Sequence, residues 1–135
     1  MTSTSCAIIG LASWYVAVLL MLAVFRVYTG AATGKAANTF APDGSDVPGF
    51  GQRLVRVHAN CYENIPLYIG VLLFAMVAGQ SVITNPTACW LLYARIAQSL
   101  VHLVSVSVPA VLVRFALFAV QLGLLVCWLW QFAHA

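Results

Sequence analysis

Residues 52–78 read QRLVRVHANCYENIPLYIGVLLFAMVA. The second half, Ile69–Val77, is apolar on every side, as expected of a helix buried all round or lying in lipid. The first half is polar at a regular interval. Arg53, Arg56, Asn60 and Glu63 fall at i, i+3, i+7 and i+10, which is one face of an α-helix. The stretch lacks the alternation of a strand. About 20 residues cross a bilayer, so residues 53–78 read as a membrane-spanning helix with a polar stripe in one half.

Outward from this stretch, three further apolar segments can be marked, at about 6–28, 87–105 and 110–132. A closed barrel would need at least about eight alternating strands, so the expected fold is an all-α integral membrane protein, a four-transmembrane-helix bundle forming one domain over 1–135. Breakers sit where turns are needed, at Gly79–Pro86 and Ser105–Pro109. Composition agrees: 63% of the 135 residues are hydrophobic and 7% charged, against about 25% charged in ordinary soluble domains. Six Lys+Arg against three Asp+Glu, with no basic run, exclude a nucleic-acid partner. Membrane lipids are the expected surroundings. The first apolar run is longer than a signal-peptide core and has no preceding Lys or Arg, so it is expected to be an uncleaved span.

The long connection, residues 30–51, contains Pro42-Asp43-Gly44 and Asp46-Val47-Pro48-Gly49, both turn signals. Asp43 and Asp46 are too few for calcium and read as solvated turn residues; no metal site is expected. Gly30 and Gly34 have helix-pairing spacing but fall in this loop. Arg26, Lys35, Arg53, Arg56, Arg95 and Arg114 flank the first and third connections. The positive-inside rule therefore places those connections in the cytoplasm and both termini outside, with Trp14, Trp90, Trp128 and Trp130 toward the outer ends. Cys61 reads as a packing residue, and Cys6, Cys89 and Cys127 lie toward the oxidising side with no pairing readable.

The third span repeats the polar pattern, with Arg95, Gln98, Ser99, His102 and Ser105 at helical spacing. An ionised group at mid-membrane costs roughly 2.5–3.5 kcal/mol on insertion scales, so the two stripes are expected to face each other or a wet cavity. At about 1.5 Å per residue, Glu63 lies about 15 Å deep and Arg95 about 18 Å. Matching depths predict a structural Glu63–Arg95 ion pair. Ser99, Ser105 and Gln98 are expected to make interhelical hydrogen bonds. Asn60 and His102 lie nearer the cytoplasm, with Arg56 and Arg114 at the mouth, forming a polar funnel suited to an anionic ligand.

Arg53-x-x-Arg56-x-His58-x-Asn60-x-x-Glu63-Asn64-x-Pro66, with Arg95–His102 and Arg114-Phe115, resembles the MAPEG family, the membrane-associated proteins of eicosanoid and glutathione metabolism, especially its short bacterial members. The motifs cover about residues 52–121. The resemblance implies a homotrimer, glutathione as co-substrate bound between protomers near the cytoplasmic side, and a bacterial inner membrane. It implies transferase or peroxidase activity on lipophilic substrates. By motif, Arg53, Arg56, His58, Asn60, Glu63 and His102 are the expected glutathione-binding residues. Arg114 is the catalytic candidate, matching the arginine proposed to activate the thiol. A non-enzymatic lipid-binding or scaffold protein on the same fold needs no thiol activation. A small transporter would need a polar path to the outer side, whereas Ile69–Val77 and Val120–Trp130 close it.

Overall fold

The computed structural model describes residues 1–47 and 49–135. Pro48, part of the expected Asp46–Gly49 turn, lies outside the described residues. The elements are α1 (Ser3–Thr33), a 3-10 turn (Ala37–Thr39), α2 (Phe50–Val77), α3 (Ser81–Thr84), α4 (Ala88–Val104) and α5 (Val108–Ala133), with no strand among the described residues. Three helices, α1, α2 and α5, are long and apolar enough to cross a membrane, and α4 is shorter at 17 residues. The chain is a multi-pass, all-helical membrane protein.

Helix ends differ from the sequence expectation where caps decide them. α1 continues through Gly30 and stops at Gly34, which takes the left-handed conformation (φ 69°) and donates its N–H to the Gly30 carbonyl at 2.9 Å. Glycine adopts this conformation without a Cβ penalty. The loop is correspondingly shorter than residues 30–51. Ser105 makes no bond between helices. Its hydroxyl accepts from the Ser107 N–H at 3.1 Å and donates to the Ser107 hydroxyl at 3.0 Å, shaping the turn into α5.

α1 packs on α2 and α4, and α4 packs on α5 and α2, whereas α2 and α5 barely meet. Two glycines permit the close approaches of α1: a Cβ at Gly10 would collide with Leu92 of α4, and one at Gly51 with Phe25 of α1. At the end holding the termini, the Thr4 hydroxyl bonds the Thr84 hydroxyl at 2.7 Å and donates to Asn85 Oδ1 at 2.8 Å. There Trp128 Nε1 donates to Thr87 Oγ1 at 3.0 Å, while Trp90 and Trp130 are exposed. Trp14 departs from the expected aromatic end. It lies well inside α1 and donates to the Ser99 hydroxyl at 3.2 Å, because an indole N–H in an apolar bundle needs an acceptor.

The opposite end carries Arg53, Arg56 and Arg114, with the loop folded over it. Asp43 is an exposed turn residue as expected; the Ser45 N–H donates to its Oδ1 at 3.0 Å and holds its carboxyl below the usual range. Asp46 is more than a solvated turn residue, since its Oδ2 lies 2.9 Å from Lys35 Nζ. That ammonium holds the Asp46 carboxyl below its ordinary value of 3.8. A carboxyl depressed in the folded state stabilises above its unfolded value and loses that contribution as pH falls through the folded one. Amide exchange in residues 34–47 is therefore expected to quicken as pH falls from about 5 to about 3, after correction for the intrinsic rate. A flat profile, or the same acceleration in Lys35→Met, would detach the loop from this pair.

Candidate functional site

The face of α2 turned toward α4 is set by Cys61, Ile65 and Tyr68, all buried at i, i+4 and i+7. Cys61 Sγ lies 3.8 Å from the Ser99 hydroxyl of α4. Glu63 is two residues beyond Cys61, roughly 200° round the helix at 100° per residue, and it is exposed on the outer surface of the chain. The expected Glu63–Arg95 pair is therefore absent. Among the described residues the only ion pair is Lys35–Asp46. Depth along the two helices matches, but direction around α2 does not.

Arg95 is instead held by neutral groups. It is completely buried. Its Nη1 donates to Gln98 Oε1 at 3.1 Å, and its Nη2 donates to the Asn60 carbonyl of α2. The guanidinium carbon also lies 5.9 Å from the centre of the Tyr68 ring, within cation–π range. Gln121 of α5 joins the cluster, its Nε2 donating to Gln98 Oε1 and to the Leu117 carbonyl, each at 3.0 Å. Gln98 and Ser99 thus make the interhelical bonds expected of them. Gln121 and Tyr68 escaped the sequence reading; a lone glutamine inside the apolar run Val120–Trp130 was the available signal for the first.

Because α2 and α5 stand apart over α4, a slot opens between them. It has a volume of about 220 Å³ and is lined by Asn60, Gln98, Val111, Arg114, Phe115 and Phe118. Three helices contribute: α2 gives Asn60, α4 gives Gln98, and the first turns of α5 give the rest. Gln98 Nε2 also approaches the Arg114 carbonyl at 3.4 Å, fixing the α5 backbone at this point. The lining combines the polar Asn60 and Gln98 of α2 and α4 with a face of α5 that carries Arg114 among Val111, Phe115 and Phe118. Such a slot suits a ligand with a charged part and a group that must meet lipid-soluble molecules. Its volume is below the roughly 300–1,000 Å³ of ordinary ligand pockets.

The remaining candidates divide. His102 is buried in the last turn of α4. Arg53 Nε donates to the Leu103 carbonyl at 2.7 Å, tying the start of α2 to the end of α4. Arg56 and Glu63 are exposed on α2. His58 lies elsewhere: its ring stacks on Tyr15 of α1, with centroids 6.0 Å apart, and it does not line the slot. It sits at one helical turn from Leu54 and Cys61, both of which face the interior, so it turns toward α1. The four cysteines are free. Among the described residues no group of three or more His, Cys, Asp or Glu is placed to hold a metal ion.

The model of the MAPEG family matches residues 4–134, nearly the whole chain. No curated protein and no solved structure matches it.

Proposed function

We infer that this chain, which belongs to the MAPEG family, is a membrane-bound glutathione-dependent transferase or peroxidase acting on lipophilic substrates. The observation that carries this reading is the α2–α5 slot, where Arg114 and Asn60 line the same space as Phe115 and Phe118. The tripeptide's carboxylates match the exposed Arg56, its amides match Asn60, and Arg114 is left to face the thiol. A thiol has a pKa of about 8.5, and an adjacent guanidinium lowers it by favouring the thiolate. Arginine suits this position because it stays charged when partly desolvated. The thiol proton leaves to water at the mouth of the slot. The thiolate then attacks an electrophilic carbon, one C–S bond forming as the leaving group departs. On a hydroperoxide the thiolate sulfur takes the distal oxygen as the O–O bond breaks, and the alkoxide leaves as the alcohol with a proton from water. A second glutathione thiol then attacks the sulfenic sulfur, giving the disulfide and water.

The functional unit is a homotrimer of this one four-span domain. Two features support assembly: the slot is too small for an ordinary ligand pocket, and Glu63 lies exposed on a membrane-spanning helix. Unpaired, such a group is expensive in lipid, so the α2 surface with Arg56 and Glu63 is read as facing a neighbouring copy, completing the glutathione site. Clustering of Arg53, Arg56, Arg114 and Lys35 at one end favours a cytoplasmic mouth, with both termini outside, in a bacterial inner membrane.

Glutathione added to the detergent-solubilised protein is expected to raise the ultraviolet thiolate absorbance. Binding without that band would make the protein a non-enzymatic binder on the same fold. Absence of binding would remove glutathione from the reading.

A further inference from the structure

The basic end holds a second cavity, away from the α2–α5 slot. α1 has 31 residues, about 46 Å of helix, whereas the hydrocarbon core is about 30 Å thick. Phe25 touches Phe50 and stands against Gly51, so Arg26 is level with the start of α2, and Val27–Thr33 overhangs the bundle. The loop folds back beneath this overhang. Together they enclose about 310 Å³ lined by Arg26, Val27, Gly30, Ala31, Lys35, Ala37 and Phe40. Arg26 and Lys35 both lie over the Phe40 ring, at 5.8 and 5.4 Å from its centre. Asp46 neutralises Lys35 at 2.9 Å, but no carboxylate among the described residues lies within 4.0 Å of Arg26. Below the cavity Leu20, Val24 and Val27, at i, i+4 and i+7, form an exposed apolar track running toward mid-membrane.

We propose that this cavity binds an anionic glycerophospholipid, its phosphate on Arg26 and one acyl chain along Leu20, Val24 and Val27. An unneutralised guanidinium at headgroup depth selects a phosphate with net negative charge, since arginine matches phosphate oxygens bidentately. The apolar track distinguishes a lipid from a free anion. Neither Arg26 nor Phe40 lines the slot between α2 and α5, so the outcome is independent of any glutathione chemistry.

The test is native mass spectrometry of the full chain in detergent, titrated with phosphatidylglycerol or phosphatidylcholine. Wild type is expected to retain phosphatidylglycerol preferentially. Arg26→Gln should weaken that retention about fivefold, the effect of one basic residue at an anionic membrane surface. Arg26→Lys should restore part of it, and Arg56→Gln, equal in charge change but at a residue that does not line this cavity, should leave it intact. Equal retention of the two lipids by wild type would overturn the proposal even if the variants failed to fold. So would displacement of phosphatidylglycerol by millimolar inorganic phosphate alone, which would indicate a soluble-anion site. Loss of oligomer in Arg26→Gln without a change in lipid retention would reassign the corner to a contact between copies.

Discussion

Replacing Arg114 by lysine or by alanine is expected to lower conjugation of a lipophilic electrophile at least about tenfold, roughly 1.4 kcal/mol of transition-state stabilisation. Glutathione should remain bound and the oligomer intact. The structure explains why the fold should survive. The contact that anchors α5 here runs from Gln98 Nε2 to the Arg114 main-chain carbonyl, which any side chain leaves in place. The Arg114 side chain is half-buried and faces the slot beside Val111, Phe115 and Phe118. Lysine keeps the charge but loses the planar fork and its fixed reach, so it should not rescue turnover if the guanidinium holds the thiolate. Were Arg114 only a positive-inside anchor, lysine would serve equally well. Unchanged turnover in both variants would take Arg114 out of the mechanism.

Gln98→Leu is expected to cost about 3 kcal/mol of folding stability in detergent, the scale of leaving a buried charge without its partner. Among the described residues Gln98 Oε1 is the one side-chain acceptor of Arg95, and the same oxygen serves Gln121. Without it the buried guanidinium keeps only the Asn60 carbonyl and the Tyr68 ring. Arg95→Met should be far milder, because removing the cation removes its desolvation cost, while Gln98 keeps its bond to Gln121. The double variant, Arg95→Met with Gln98→Leu, should therefore recover most of the loss. Equilibrium unfolding of the two single variants and the double completes the cycle. A Gln98→Leu protein within about 0.5 kcal/mol of wild type would mean that Arg95 draws its support from elsewhere, and additive effects would mean that the two side chains are uncoupled.

This buried cluster separates what a chain pattern can disclose from what packing decides. The 3.6-residue period is a local property, so the spacing of Arg53, Arg56, Asn60 and Glu63 was enough to read a helix with a polar stripe. The same period in Arg95, Gln98, Ser99 and His102 gave a second stripe. The lack of charge and the length of the apolar runs were enough for a multi-pass helical protein, because lipid leaves each backbone amide to find its partner within the chain. Depth was legible too, since rise per residue is constant. Direction around the axis was not. Whether Glu63 or Cys61 meets α4 depends on how α2 is rotated, and that is settled by which side chains fit against the neighbouring helices. Gly51 admits Phe25, Gly10 admits Leu92, and Cys61, Ile65 and Tyr68 fill the interior, which leaves Glu63 outside. The separation of α2 from α5, and hence the slot with Arg114, arises in the same way. Sequence by itself determined the helices, the stripes and the end at which the charge gathers, each set by spacing along one chain. The tertiary structure alone decided which stripe residues meet, because contact depends on the shapes of several helices at once.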